Sequence, residues 1–139
     1  MQTYRKVVSL RTEREGSVVD LTSDVKACLS SSGLREGFAC VFVPHSTAAV
    51  FTIENEKGVQ QDMRDALQRS FPKEIEYEHQ KAWNDGNGHS HVRAGFLGPS
   101  VTVPFHESEL DLGTWQQVVL MELDNHGRNR KVIIQLIGA

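Results

Sequence analysis

The side chains best suited to chemistry crowd into one stretch, Trp83–Gly95, WNDGNGHSHVRAG, which combines Asn84, Asp85, Asn87, three glycines and the pair His89 and His91. The N-D-G-N-G run signals a turn or loop, because glycine accepts positive φ and Asn and Asp tolerate it. Two histidines at i and i+2 face one side only where the chain is extended; on a helix they diverge by about 160°. His45, just after an apolar run, is a third candidate. Three imidazoles are a familiar shell for a catalytic zinc with an open position, and imidazole also suits iron, nickel or copper. The alternative is a polar surface loop whose histidines bond to water or backbone.

Acids and cations come next. Glu54 and Glu56 follow an apolar run at i, i+2; they are site carboxylates, or they sit at a helix N-terminus, where a carboxylate is favoured. Asp85 suits a general base, a metal ligand or an Asx-turn. Ser46 and Thr47, after His45, offer hydroxyls and N–H groups to an anion. Arg128 and Arg130 carry guanidinium forks that match phosphate, or are soluble surface. No nucleophile elbow, Walker loop or dinucleotide fingerprint is present, which disfavours a serine nucleophile and NTP- or NAD-dependent chemistry.

The elements that must position these groups read as follows. Residues 3–11 and 17–21 are strands. A helix from Thr22 or Ser23, its cap, to about Ser31 buries Val25, Cys28 and Leu29 and ends at Gly33 in the left-handed conformation. Phe38–Pro44, nearly all apolar, reads as a strand buried on both faces, and Ala48–Ile53 as another. Helical spacing runs from Gly58 to Ser70. Residues 73–81 look irregular, and Val92–Leu97 suggests a short helix. Val101–Pro104, Trp115–Asp124 and Lys131–Ile137 are strands, with HGRNR (126–130) as a hairpin turn. This order predicts one α+β domain over residues 1–139, with largely antiparallel, sandwich-like sheets and two to three helices.

Bulk properties agree. The 139 residues suit one domain, and 39% hydrophobic with 24% charged residues is ordinary globular composition. A net charge of −3 argues against a nucleic-acid partner. Cys28 and Cys40 read as reduced thiols. Neither a signal peptide nor a membrane span is visible, so the expectation is a cytoplasmic protein without a membrane partner.

Three blocks, PHSTAAVFTIENE (44–56), NDGNGHSHVRAGFLG (84–98) and LGTWQQVVLMELDNHGRNRKVIIQLIG (112–138), resemble the YjbQ family, UPF0047. Strand 33–44 and Val59 with Asp62 fit the same pattern. The resemblance implies a compact β-sandwich-like α+β domain assembled as a homotrimer, with a histidine cluster able to hold a divalent metal, zinc before others. Carried over, the metal ligands would be His45, His89 and His91. Asp85, Asn87 and Glu54 would line the same cavity as its catalytic groups, and Arg128, with Ser46 and Thr47, would contact phosphate. The implied activity is a secondary thiamine-phosphate synthase reaction, joining a pyrimidine-methyl diphosphate to a thiazole phosphate with release of pyrophosphate. Metal-assisted hydrolysis and a non-enzymatic metal- or ligand-binding trimer are the alternatives. One departure is Phe105–Glu109, FHESE, which stands where a small-residue turn is usual and adds His106 as an extra candidate ligand.

Overall fold

Alternation of apolar and polar residues along Gln2–Arg11 and Asn129–Gly138 makes these segments strands, and they pair antiparallel along their whole length, Gln2 opposite Gly138 and Arg11 opposite Asn129. In the computed structural model, which describes residues 1–139, they are β1 and β8 of a five-stranded sheet. That sheet continues through β3 (Gly37–Phe42), β5 (Ser100–His106) and the short β6 (Glu109–Leu110) in the order β1-β8-β3-β5-β6. A three-stranded sheet, β2-β7-β4, is built from Val18–Asp20, Gln117–Glu122 and Ala48–Ile53. Every pairing in both sheets is antiparallel.

The two sheets face each other across a core that joins Ala39, Val41, Ile134 and Leu136 of the larger sheet to Val50, Val118 and Leu120 of the smaller. Helix α1 (Thr22–Ser32) inserts Val25, Cys28 and Leu29 into the same core. It ends as expected at Gly33, φ +71°, where a side chain would be strained. Its first turn is capped differently from the expectation: Leu21 holds the N-cap position, and the Asp20 carboxylate accepts from the Thr22 N–H. The outer face of the smaller sheet packs Ala49 and Met121 against Leu67 of α2 (Lys57–Ser70) and Ala94 of α4 (Gly88–Leu97). Helix α3 (Glu78–Trp83) lies beside α4. The chain is therefore an α+β domain of sheet on sheet, with α1 packed into the core between the sheets and α2 and α4 on the outer face of the smaller one.

Four readings change. Residues 73–81 look irregular in sequence, yet α3 forms there, and it brings the helix count to four. The doubly buried strands are β4 and β7 rather than β3: Ala39 and Val41 are buried, but Phe38 and Phe42 are exposed, because nothing in the chain covers that face of the larger sheet. The HGRNR turn is not a hairpin, since β7 and β8 belong to different sheets and residues 123–128 cross between them. Trp115 lies in a turn before β7 and is 72% exposed. Both cysteines are free thiols, and no helix is long and apolar enough to cross a membrane.

Candidate functional site

Three connections meet at one end of the sandwich. The β3–β4 link carries His45, Ser46 and Thr47; the first turn of α4 carries His91, with Asn87 as its N-cap residue; and the β7–β8 crossover carries Asp124, His126 and Arg128, with Arg130 just inside β8. These groups, with Arg11 at the end of β1, line a cleft of about 620 Å³ whose walls include no hydrophobic residue. A wholly polar cleft does not select apolar ligands; its three arginines favour anions.

The floor is a fixed charge network. Arg130, 2% exposed, donates from Nε to Glu122 Oε1 at 2.9 Å and from Nη2 to Glu122 Oε2, and its Nη2 also reaches the Thr47 hydroxyl (2.9 Å) and carbonyl (3.1 Å). Glu122, fully buried, also accepts from Thr12 Oγ1 at 2.6 Å and from the Asp124 N–H at 3.0 Å. The Thr12 hydroxyl accepts in turn from the Arg128 N–H at 2.8 Å. Buried charges are tolerable only when paired and hydrogen-bonded in this way. The pair therefore sets the positions of Thr47, Asp124 and Arg128 together. The Thr47 hydroxyl also donates to Asp124 Oδ2 at 3.0 Å, so its proton is committed to the protein.

Arg128 donates from Nε to Asp124 Oδ2 at 2.5 Å and keeps both Nη groups without a protein partner; Arg130 likewise keeps Nη1 free. Burial pushes the Asp124 pKa up, but hydrogen bonds from the Asn125 N–H, Thr47 and Arg128 outweigh it and hold the carboxyl below its ordinary value. Two imidazoles face these cations. Burial lowers the His45 pKa, reinforced by the Arg130 charge, and burial lowers that of His91, reinforced by His79. His45 Nε2 accepts from the Lys131 N–H at 3.2 Å, which requires a lone pair there and leaves the proton of the neutral ring on Nδ1.

His89 does not reach the cleft. The expected loop gives way to α4 at Gly88, and on a helix the i, i+2 pair diverges, so His91 faces the cleft while His89 is fully buried behind it. His89 Nε2 pairs with Glu15 Oε1 at 2.5 Å, and its Nδ1 has no partner. Glu54 is exposed, beyond the far end of β4 from Thr47, a separation of roughly 20 Å along a six-residue strand. Glu56 caps α2, accepting from the Gly58 and Val59 N–H groups at 2.8 and 2.7 Å. Asp85 is outside the cleft proper and accepts or shares a proton with His79 Nε2 at 3.2 Å, while the His79 ring lies 4.4 Å from that of His91. The Asn87 amide has two choices: its nitrogen donates to Asp124 Oδ1 at 3.3 Å, or, turned over, to Asp85 Oδ1 at 2.7 Å and His79 Nε2 at 3.1 Å. Either orientation leaves the amide oxygen facing one carboxylate, Asp85 in the first and Asp124 in the second, and in the second His79 Nε2 accepts from Asn87 and so has no proton to give Asp85. His106 lies on the β5–β6 hairpin, beside Glu36, far from the cleft in the fold.

The expected shell of His45, His89 and His91 therefore does not form. Moreover, no three His, Cys, Asp or Glu side chains converge closely enough to hold an ion as placed. Residues that the spacing argument does not assign to the site are Asp124, His126, His79 and Arg11; the polar D-N-H-G-R-N-R run after an apolar strand is the one signal for the first two.

A two-sheet α+β domain with an arginine-lined, wholly polar cleft at the end of its sandwich is the class that fold and site define. The chain belongs to the UPF0047 protein YjbQ-like family, which matches residues 6–139. It is 41% identical to a UPF0047 protein of Methanothermobacter thermautotrophicus, over 99% of this chain and 94% of the relative. It is 38% identical to a UPF0047 protein of Mycobacterium tuberculosis, strain H37Rv, over 86% of this chain and 88% of that one. Among solved structures, a YbjQ-like protein of unknown function from Sulfolobus solfataricus superposes with a TM-score of 0.94 at 31% identity, covering 99% of both chains. A YjbQ/UPF0047 protein from Clostridium acetobutylicum gives 0.86 at 34% identity, covering 95% and 99%.

Proposed function

We propose that this chain is an enzyme acting on a small phosphorylated substrate held in the cleft. One observation carries the reading: the free Nη groups of Arg128 and Arg130 share a wholly polar cleft with two imidazoles, His45 and His91, kept neutral by burial. Guanidinium forks match phosphate oxygens, and a fork already fixed by Glu122 loses little entropy on binding. A neutral imidazole near pH 7 can accept a proton and, once charged, return it to a leaving oxygen. Arg11, at the cleft's lip, adds long-range attraction for an anion.

The named candidate is the thiamine-phosphate synthase reaction. There the carbon–oxygen bond to the diphosphate breaks as the bond to the thiazole forms, and pyrophosphate departs with the electron pair. Arg128 and Arg130 are suited to stabilise that departing charge, and His91 or His45 to manage a proton on it. The expected zinc shell of His45, His89 and His91 does not fit the residues as placed. A metal-assisted hydrolase, with Asp85 or Glu54 as base, is the nearest enzymatic variant, and it fits the residues less well, having no histidine shell and with Glu54 past the far end of β4. Asp85 would have to act through His79 and His91, the groups it stands beside.

The non-enzymatic alternative is a ligand-binding homotrimer. It draws support from the bare outer face of the larger sheet, where Val7, Phe38, Phe42 and Ile137 are exposed on adjacent strands; apolar area of this kind is commonly covered by a partner. A cytoplasmic setting suits either reading.

The test is to incubate protein of measured metal content with the pyrimidine diphosphate and thiazole phosphate pair, and with a panel of phosphate esters, while following pyrophosphate or phosphate release. Turnover lost in His91→Ala, with binding retained, supports the enzyme. Binding without turnover in wild type supports the alternative, and no binding of any phosphate compound sinks both. Elemental analysis of wild type beside His45→Ala and His91→Ala tests metal dependence.

A further inference from the structure

Behind the cleft, a second depression of about 500 Å³ lies between the turn after β1 and the first two turns of α2. Arg11, Arg14, Lys57 and Arg64 line it, and its one carboxylate, Glu13, stands 3.5 Å from Arg14 Nη1. The chain as a whole carries −3, so four cations against one acid in a single groove run against its average. Such a concentration collects anions.

The groove is built rather than a chance meeting of surface side chains. Arg64 Nη1 donates to the Gly16 carbonyl at 3.0 Å, and its Nε and Nη2 donate to Gln61 Oε1 at 3.3 and 3.2 Å. Gly16 holds φ +84°, and a Cβ there would stand 2.8 Å from Arg64 Cδ, so the glycine makes room for the arginine stem. Arg64 is therefore ordered before any ligand arrives, while the guanidinium of Arg11 and the ammonium of Lys57 have no protein partner. Ser17 belongs to the wall too, and Val18 and Val19 provide a half-buried apolar strip along it.

We propose that this groove is a second anion site, separate from the cleft, for an oligophosphate group: two or three linked phosphates, alone or on a small organic carrier. Beside the Arg14–Glu13 pair, three further cations line it, Arg11 from the end of β1 and Lys57 and Arg64 from α2, more than one phosphate needs and enough for a chain of phosphates. Arg11 borders both cavities, so anions bound in the two would repel one another across it. The inference stands independently of the enzymatic reading of the cleft.

The experiment uses inorganic tripolyphosphate at low ionic strength, where screening is weak, read by calorimetry and by amide shifts in the nitrogen–proton correlation spectrum. The expected result is shifts at Gly16, Ser17 and Gln61 that saturate with tripolyphosphate. The double substitution Lys57→Met/Arg64→Met should abolish them and weaken that binding event at least ~10-fold, as for lost charge-assisted bonds. Arg128→Met should leave them in place. Because Arg64 also supports Gly16, Arg14→Ser/Lys57→Met is a second variant that leaves that contact intact; it should weaken the same event. Shifts confined to residues 124–130, or groove shifts unchanged in both double variants, would overturn the proposal.

Discussion

Helix α4 separates two regions that receive nearly identical residues and put them to opposite uses. His91, on its open side, lies partly exposed in a cleft beside Asp124 and opposite free guanidinium groups. His89, two residues earlier, is sealed on the other side against Glu15, a carboxylate that also bonds Lys73 at 3.0 Å. Each side rests on a glutamate. Glu122 supports the cleft by fixing an arginine that still shows one edge to the ligand space, whereas Glu15 ties a helix to two loops. A cleft needs donors left over after its own structure is satisfied; a sealed region needs none. Arg130 Nη1 and both Nη groups of Arg128 are such surplus donors.

The largest effect should come from breaking the floor of the cleft. Glu122→Gln leaves the Arg130 charge buried and unpaired and offers an N–H where two donors now meet Oε1. Loss of one partner of a buried pair costs about 3–5 kcal/mol, so urea denaturation should show a loss of that size. A loss under about 1 kcal/mol would mean that solvent reaches the pair. The sealed side should respond in stability alone: His89→Ala removes a fully buried ring and should cost about 2–4 kcal/mol. Its phosphate affinity should stay within about twofold, the noise of small packing shifts. A tenfold fall would return His89 to the binding site and erase the contrast between the two faces.

How much of this is legible in the sequence follows from the same helix. Every strand but the two-residue β6, and the helices α1 and α2, are legible because apolar runs or period-2 and period-3.6 patterns with clear stops mark them. The cleft is legible in part: His45, Ser46, Thr47, Asn87, His91, Arg128 and Arg130 do line it. His89 reads as their neighbour because a glycine- and asparagine-rich run signals a loop, and an extended loop would align the pair. The glycine at 88 instead opens the helix, since a Cβ there would meet the Tyr77 side chain at 2.4 Å. Local composition cannot show that packing constraint. Glu54 falls outside the site for a different reason: adjacency in a motif does not reveal that a strand carries its two ends about 20 Å apart. Glu122 and Asp124 belong to the site because β7 and β8 lie in different sheets and the crossover between them bends over the cleft. No local pattern distinguishes that crossover from a hairpin turn.

A smaller effect is expected from Arg128, which touches the ligand space but not the core. Arg128→Met removes charge-assisted donors worth about 1.5–3 kcal/mol, so phosphate affinity measured by calorimetry should fall roughly 10- to 100-fold. Stability should barely change, because the side chain is 43% exposed and its pair with Asp124 is partly screened. An Arg128 variant that binds as tightly as wild type would move the anion onto Arg130 alone and narrow the cleft's working surface.

The mildest probe is proton concentration, and it sharpens the contrast without altering a residue. Burial depresses the pKa of His45 and His91 below the ordinary 6.5. The unfolded chain therefore takes up protons on these rings before the folded chain does. The stability that depends on their neutral state is complete above about pH 6.5, and it declines as pH falls through that value toward the folded pKa of each ring. Histidine ring proton resonances followed by titration should show both rings mostly neutral at about pH 6.5, with thermal stability beginning to fall just below it. If the rings also serve as proton acceptors for a bound phosphate ester, turnover should fall over the same interval. His91→Ala should remove its share of that dependence, whereas His89→Ala should leave the turnover profile in place. Rings of His45 and His91 that titrate at or above about 6.5 would mean that water enters the cleft more freely than its depth implies. The open side of α4 would then offer imidazoles no different from free ones beside its cations.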